Sequence, residues 1–170
     1  MNKEVKDWWI KTLLESPFPN PPKIKEIMKL MKEMMSEDFL KEWAKGNGIY
    51  ISHPIRLNNP AKHIIKLAED LQKDNCVFFP WDNRWDITPS QRFHIDVMLC
   101  TSAKLLIWDL SYPSIGASSE ASYAFFKKVK IIGILPKNTE KGISDFAKYM
   151  CSEILEYKKD INIRKYMLPI

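Results

Sequence analysis

The sequence predicts an α/β fold, Rossmann-like or flavodoxin-like, in which helices cover both faces of a parallel sheet. From residue 48 onward, short apolar runs alternate with helical patterns. Short buried strands separated by helices favour parallel pairing, with helices packed on both sides of the sheet. The predicted strands are residues 49–52, 76–79, 104–110 and 129–135.

Helical patterns follow each of the predicted strands. Residues 60–73 place their apolar side chains on one side. Residues 89–100 follow Thr88, and Pro89 is a natural first helical residue. Residues 121–127 are expected to begin a further helix, and residues 144–157 are predicted to close the domain as its last helix.

The first 46 residues differ in character from the rest, which predicts a helical extension (1–46) attached to an α/β domain (47–170). Apolar residues within 5–14 predict a short helix that ends at the proline-rich segment 16–22. A second helix carries a methionine-rich stripe, which we interpret as packing onto the main domain or a second subunit. The stripe consists of Ile24, Ile27, Met28, Met31, Met34 and Met35, and Phe39, Leu40 and Trp43 extend the helical region to Gly46.

Composition narrows the class of protein. A chain of 170 residues, 45% hydrophobic and 28% charged, suits one globular domain with an appended element. Three widely spaced cysteines without a CxxC pair predict a reduced setting, and the lack of a leader or long apolar run predicts a cytoplasmic protein without a membrane segment. The net charge of +5 favours anionic partners. Because lysines and glutamates are interspersed, we expect a phosphorylated small molecule rather than a nucleic-acid polymer.

Several kinds of site are excluded by their missing motifs. Neither the P-loop pattern nor the GxSxG turn of serine hydrolases occurs, which argues against ATP-driven function and serine nucleophiles. The three histidines lack metal-ligand spacing, so we predict neither a metal nor a cofactor.

The loops that follow the first three strands carry the chemically informative residues. They are residues 50–56, 81–86 and 111–120. Ligands bind at the carboxyl ends of strands in such sheets, so one pocket can hold all three loops. Asp96 precedes Glu120 by 24 residues, on the helix leading to the third strand, and this spacing permits the two carboxylates to face each other.

Glu120 is expected at the start of a helix capped by Ser118 or Ser119. The N–H groups of a first turn favour negative charge, so Glu120 is expected to stay ionised. Gly116 lets the backbone approach a ligand closely, and with the same N–H groups it makes a seat for a phosphate.

The chain resembles the nucleoside 2-deoxyribosyltransferase superfamily over about residues 49–135, and within it the 2'-deoxynucleoside 5'-phosphate N-hydrolases most closely. The resemblance rests on three ordered motifs. They are Tyr50-Ile51-Ser52-His53-Pro54-Ile55-Arg56, then Arg92-Phe93-His94-Ile95-Asp96, then Pro113-Ser114-Ile115-Gly116 with Glu120-Ala121-Ser122-Tyr123-Ala124.

The resemblance implies catalytic roles for Glu120, Asp96 and Tyr50. Glu120 would attack C1' of the sugar, Asp96 would assist departure of the base, and Tyr50 would line the same site. It also implies that family members complete their sites with neighbouring subunits, so a homodimer is expected.

The resemblance also implies a 5'-monophosphate substrate. Phosphate-specific hydrolases have a serine at the position of Ser114, where enzymes that use free nucleosides tend to have an aspartate. Arg56 and Gly116 match the phosphate site, and Ile55 and Ser118 are expected to contact the substrate as well. However, His53 and Pro54 replace a Gly-Ser pair common in the hydrolases, which removes one hydroxyl contact to the phosphate.

Two carboxyl groups of different pKa are suited to cleaving a C–N glycosidic bond. Positive charge develops on the sugar and negative charge on the leaving base, so one group must attack and the other must donate a proton. By analogy with retaining glycosidases we expect the carboxyl groups of Asp96 and Glu120 to lie about 5 to 5.5 Å apart. Asp96, close to the charge of Glu120, is expected to have a raised pKa.

Trp81 and Trp85 are candidates to stack on the nucleobase, since base–aromatic stacking is worth about 1 to 3 kcal/mol. The alternative interpretation is that they form a lid on the core. Alternatively, Arg56 forms an ion pair with a surface carboxylate. Two alternative functions also remain: a deoxyribosyltransferase that exchanges bases, and a catalytically silent nucleotide-binding module whose extension docks a partner.

Overall fold

The protein forms a parallel sheet with helices on both faces, which confirms the predicted fold class. The computed structural model describes residues 3–14, 24–54, 62–80, 86–136, 142–157 and 163–166. Within these ranges, five strands pair in parallel throughout. They are β1 (Gly48–Ser52), β2 (Cys76–Phe78), β3 (Leu105–Asp109), β4 (Lys130–Leu135) and β5 (Glu153–Glu156).

Helices connect the strands and precede the first of them. The chain begins with three helices, and a π-helical turn at Trp43–Asn47 joins the third of these to β1. A 3₁₀ turn, Ile163–Tyr166, lies near the end of the chain. The helices are α1 (Lys3–Leu14), α2 (Ile24–Met34), α3 (Glu37–Glu42), α4 (Lys62–Gln72), α5 (Pro89–Ser102), α6 (Ile115–Phe126) and α7 (Asp145–Met150).

The strand order is β2-β1-β3-β4-β5, as in flavodoxin-like sheets. After β1 the chain turns to one side of the sheet, to β2, and after β3 it turns to the other, to β4. The order therefore reverses between β1 and β3. The crevice at the carboxyl ends of these two strands is the place where such sheets bind ligands.

The prediction of one helix over residues 144–157 is wrong. Helix α7 ends at Met150, and Cys151 has extended backbone with φ −80° and ψ 131°. Residues 153–156 then pair with β4 as the edge strand. Only two apolar residues, Ile154 and Leu155, mark this strand in the sequence, and so short a run does not distinguish strand from helix.

The two faces of the sheet have separate cores. One face packs mainly against α4, and its apolar residues include Ile49, Ile51 and Ile107. The other face packs against α5, α6 and α7, and Tyr50 and Leu106 point to it. Because side chains alternate along a strand, each strand feeds both cores.

The predicted methionine stripe packs onto the main domain. Ile27, Met28 and Met31 are buried in the same core as Ile95 and Met98 of α5. Helices α1 and α2 both contact α5. The proposed boundary between residues 46 and 47 stays a prediction, since the extension and the sheet share this core.

Two hydrogen bonds join the extension to α5, one near each end of α5. Near the start of α5, Gln91 donates a hydrogen bond to Glu26 at 2.6 Å. Near its end, Trp43 Nε1 donates to Ser102 Oγ at 3.0 Å. The extension therefore lies along the full length of α5.

Two glycines mark the passage from the extension into β1. Gly46 adopts a positive φ of 79° where the helical region ends. Gly48 lies so close to the Trp43 ring that a Cβ would be 2.4 Å away.

The part of the chain that the structure describes contains no helix that is both long and apolar enough to cross a lipid bilayer. All three cysteines, Cys76, Cys100 and Cys151, are free thiols.

Candidate active site

Strand β1 presents two polar side chains to the face that carries α5 and α6. Tyr50 and Ser52 are two positions apart in the strand, so they point to the same side of the sheet. Both are fully buried. Ser52 Oγ donates a hydrogen bond to Glu120 Oε2 at 2.5 Å. Strand β1 thereby holds the carboxylate that α6 supplies.

Glu120 lies in the second turn of α6 rather than in its first, so the predicted helix start is wrong. Helix α6 begins at Ile115, and Ser114 is its N-cap, accepting from the Ala117 N–H at 3.4 Å. Ser118 and Ser119 are helical residues and not caps. The first-turn N–H groups therefore do not stabilise an ionised Glu120 directly.

Asp96 lies in the middle of α5, as the sequence indicated. The helix begins with the predicted cap: Thr88 and Gln91 form a capping box and Pro89 is the first helical residue. Asp96 is only 6% exposed, and its Oδ1 atom has no hydrogen-bond partner among the described residues. A buried carboxyl group of this kind is costly to ionise.

Burial raises the pKa of Glu120 from 4.5 to about 7. The hydrogen bond from Ser52 and the nearby Tyr50 hydroxyl oppose this effect and lower the pKa. The expectation that Glu120 is easily kept ionised is therefore wrong. Its ionised form depends on these two hydroxyl groups instead of on the helix start.

The pKa of Asp96 is raised well above 3.8, in the direction the sequence predicted. Burial is the larger cause and the charge of Glu120 the second, while Arg92 and Tyr50 lower the pKa. Two carboxyl groups that influence each other in this way titrate as a pair. The charge of an ionised Glu120 therefore favours the protonated form of Asp96. The 5 to 5.5 Å separation stays a prediction.

The Tyr50 hydroxyl lies next to both carboxyl groups. Burial, followed by the charges of Asp96 and Glu120, raises its pKa well above 10, so the phenol stays neutral. It is close enough to lower the pKa of both acids, yet no described residue accepts its proton at hydrogen-bonding geometry. The hydroxyl therefore faces both carboxyl groups without a hydrogen bond of standard geometry to either.

The remaining predicted residues of α6 lie on its exposed side. Ser114 and Ser118 line a cavity of about 630 Å³ whose walls include neither of the two acids. Ser118 and Glu120 are two positions apart, about 200° around the helix, so their side chains point in different directions. Gly116 lies in the first turn, where backbone N–H groups lack intrahelical partners. The walls of the cavity are Pro113, Ser114, Ile115, Ser118, Ser119, Ser122 and Tyr123.

Four predicted substrate-binding residues lie outside the described residues. They are Ile55, Arg56, Trp81 and Trp85.

Two residues near the acids were not singled out from the sequence. Ser52 follows Tyr50 by two positions in a strand, and Arg92 precedes Asp96 by four positions in a helix. Side chains at these spacings share a face. The spacing of Ser52 from Tyr50, and of Arg92 from Asp96, is therefore the sequence signal that could have identified these two residues. Among the described residues, no group of three or more His, Cys, Asp or Glu side chains is arranged to hold a metal ion.

The chain is thus a flavodoxin-like α/β protein with a buried pair of carboxyl groups under the crevice of its sheet. Among solved structures it is similar to the CMP N-glycosidase BcmB of Clostridium botulinum, with 18% identical residues and a TM-score of 0.49. The match covers 71% of this chain and 93% of that chain. At this identity the likeness is one of fold. No protein-family model and no curated protein matches the sequence.

Proposed function

We propose that this protein hydrolyses the N-glycosidic bond of a nucleoside 5'-monophosphate, releasing the free base and a sugar 5-phosphate. The observation that carries the proposal is the buried pair of Asp96 and Glu120, in which the charge of Glu120 raises the pKa of Asp96. Pairs of acids with separated pKa values can divide the roles of acid and nucleophile. The sequence motifs that contain both residues support the same chemistry.

The reaction follows a two-step course in this proposal. The Glu120 carboxylate attacks C1' and forms a glycosyl ester while the C1'–N bond breaks, and Asp96 gives its proton to the leaving base. Water then hydrolyses the ester, and the Asp96 carboxylate accepts the proton of that water. Both residues return to their starting protonation states.

Tyr50 would position the sugar. Its hydroxyl is neutral, fully buried and without a hydrogen-bond acceptor among the described residues. We assign it as a donor to a sugar oxygen or to the Glu120 carboxylate during attack. Ser52 would keep Glu120 ionised and fix its rotamer.

The phosphate is assigned to the start of α6. Ser114 caps this helix and Gly116 lies in its first turn, where the exposed N–H groups favour an anion. A Cβ on Gly116 would meet only Ser114 Oγ, at 3.9 Å, so the fold does not require this glycine. Close approach of a ligand is a reason for it. Arg56 and Ile55 would complete this end of the site, and Trp81 and Trp85 would stack on the base.

The protein would act as a homodimer. Ser118 points away from Glu120, so its assigned substrate contact suits the site of a neighbouring copy. Ile115, which lines the same cavity as Ser118, is an apolar side chain that is 79% exposed. Phe126 on α6 and Tyr149 on α7 are also strongly exposed, at 78% and 76%. Apolar side chains of this kind are covered when they lie in an interaction surface.

Release of free base tests the proposal directly. Ribo- and deoxyribonucleoside monophosphates and their nucleosides are incubated with the protein, and free base is measured by chromatography. We expect release from a monophosphate, and loss of this activity in Glu120→Gln and Asp96→Asn. Glu69→Gln, the same change at an exposed position of α4, should remain active. Activity that survives Glu120→Gln would overturn the nucleophile assignment.

Two further outcomes separate the alternatives. If base is released only when a second free base is supplied, and a new nucleoside appears, the protein is a transferase. If a folded protein binds nucleotides but releases no base from any of them, it is a binding module.

Mixing two inactive variants tests the shared site. Glu120→Gln and Ser118→Trp are each expected to be inactive, because one lacks the nucleophile and the other blocks the neighbouring site. In a mixed dimer one of the two sites has both residues intact, so random exchange should restore roughly a quarter of the activity. No recovery, although exchange is shown by mass measurement, would place Ser118 outside the partner's site.

A further inference from the structure

Arg92 lies on the face of α5 that carries Asp96, one turn nearer the start of the helix. The two residues are four positions apart, so their side chains lie one above the other. Side chains in a helix lean toward its N-terminus, so the Asp96 carboxyl group is directed toward the turn that holds Arg92. The charge of Arg92 acts on that carboxyl group and lowers its pKa. The two-step reaction assigns no role to Arg92.

The start of α5 lies at the carboxyl edge of the sheet. Helix α5 connects β2 to β3, which both run parallel to β1, so the helix runs in the opposite direction to the strands. It packs against β1 and α6, the elements that supply Tyr50 and Glu120. Residues 95–100 are buried, whereas Arg92 is half-buried. Arg92 therefore lies between the buried acids and the crevice.

Arg92 is the cation in the group of side chains around Asp96. Among the described residues, Glu120, Tyr50 and Arg92 act on the Asp96 carboxyl group. When the C1'–N bond breaks, its electron pair moves to the base, which lies beside Asp96 in the proposed reaction. Asp96 protonates one atom of the base, and negative charge that develops on the other ring atoms needs a separate partner. A fixed donor or cation directed at developing charge stabilises such a transition state.

An arginine is suited to contact a nucleobase at this position. Its guanidinium group is planar and carries five N–H donors, and the acceptor atoms of a nucleobase lie in the plane of the ring. The group also stays charged at every pH at which the protein is folded. Arg92 therefore stabilises negative charge without competing with Asp96 for the role of proton donor.

We propose that Arg92 is a catalytic residue that contacts an acceptor atom of the leaving base and stabilises the negative charge that develops on it. This inference rests on the proposed function, because it takes the substrate to be a nucleotide whose base departs beside Asp96. The electron pair of the C1'–N bond goes to the base, the proton comes from Asp96, and Arg92 keeps all its protons. The base then lies between α5 and the crevice, with its sugar over Glu120.

The acidity of the leaving base tests this role. Release of base is measured from the monophosphates of a base and of its fluorinated form: cytosine and 5-fluorocytosine, uracil and 5-fluorouracil, or adenine and 2-fluoroadenine, whichever pair the intact protein cleaves. Fluorine withdraws electrons, so the departing base needs less stabilisation. In Arg92→Gln, kcat/KM for the unmodified base should fall by roughly a hundredfold or more. The fall should be smaller for the fluorinated base.

Two further variants make the comparison specific. Arg92→Lys keeps the positive charge, so its ratio of kcat/KM values for the two bases should lie between those of the intact protein and Arg92→Gln. Lys66→Gln removes a cation from an exposed position of α4 and should change neither rate. Equal losses for the two bases in both Arg92 variants would overturn the inference.

The pH profile separates contact with the base from an effect on Asp96 alone. Arg92 lowers the pKa of Asp96, so its removal raises that pKa and moves the basic limb of kcat/KM to higher pH. A moved limb with an unchanged ratio between the two bases would make Arg92 a positioning residue and overturn the contact. If the intact protein releases base but the ratio does not change, the proposed function stands and only the role of Arg92 fails. If the intact protein releases no base, both fail.

Discussion

At the scale of single residues, Ser52 sets how readily Glu120 ionises. Its hydroxyl donates to the carboxylate at 2.5 Å inside the core. Hydrogen bonds to a charged group contribute about 1.5 to 3 kcal/mol. Without this bond, only Tyr50 would oppose the effect of burial, and the pKa of Glu120 would rise beyond about 7.

Ser52→Ala should therefore move the acidic limb of the pH profile to higher pH. The nucleophile must be ionised and Asp96 protonated, so kcat/KM is expected to be bell-shaped, with its acidic limb near the Glu120 pKa of about 7. In Ser52→Ala this limb should rise by roughly one pH unit or more, and kcat/KM at pH 7 should fall about tenfold. Rate measurements from pH 5 to 10 check both.

Thr101→Val is the matched control for that variant. It removes a hydroxyl that donates to the Val97 carbonyl on α5 and does not contact the acids. Its pH limbs should coincide with those of the unchanged protein. A Ser52→Ala profile that is lower at every pH, with unmoved limbs, would contradict the role given to Ser52.

The sequence singled out the two acids that the structure buries together, but not how they are held. Asp96 and Glu120 were found through their motifs and spacing, and the structure brings both beside Tyr50. The start of α6 was misplaced because Ser114, Ser118 and Ser119 are equally good caps, and Gly116 is as typical of a turn as of a first helical turn. Burial depends on contacts between distant segments, so the raised pKa of Glu120 has no local signal.

At the scale of elements, α2 supports the helix that carries Asp96. Met31 is 2% exposed and lies in the core that Ile95 and Met98 of α5 also occupy. The extension therefore packs against residues of α5 that neighbour Asp96. Loss of that packing should affect both stability and the position of the acid.

Met31→Ala should lower the free energy of unfolding by about 2 to 5 kcal/mol, the usual range for truncating a buried methionine. Urea denaturation measures this change. Lys32→Ala, at the neighbouring exposed position, should change it by less than about 0.5 kcal/mol. Equal effects of the two changes would mean that the methionine stripe is not packed in solution.

Helices and strands were predicted correctly where the hydrophobic pattern was long, and wrongly where it was short. The methionine stripe of α2 and the apolar runs of β1, β3 and β4 gave correct elements. Strand β5 was missed because its four residues are only partly buried at the sheet edge. Pairing with β4, rather than local preference, makes it a strand.

At the scale of the whole molecule, the acid pair links stability to pH. Glu120 has a folded pKa of about 7 against an ordinary value of 4.5, and Asp96 is raised as well. Above pH 4.5 the unfolded chain loses these protons while the folded protein keeps them. Stability from these groups is therefore complete below about pH 4 and falls as pH rises toward 7 and beyond.

Glu120→Gln should remove much of this dependence. At pH 8 the variant should be more stable than the unchanged protein, by at most about 3 kcal/mol for a pKa difference of this size. The gain should disappear near pH 4. Thermal melting at several pH values measures both. A variant that is less stable at pH 8 would contradict a strained, buried carboxylate at this position.

The two hydrogen bonds that join α5 to the extension link segments that are synthesised at different times. Glu26 meets Gln91 across 65 residues of sequence, and Trp43 meets Ser102 across 59. During synthesis the N-terminal helices emerge first, but the helix that covers them is made much later. The methionine face of α2 must stay uncovered until α5 leaves the ribosome. The nascent extension is thus open to chaperones and to premature association during that interval. Closing such long loops is also a slow step in folding.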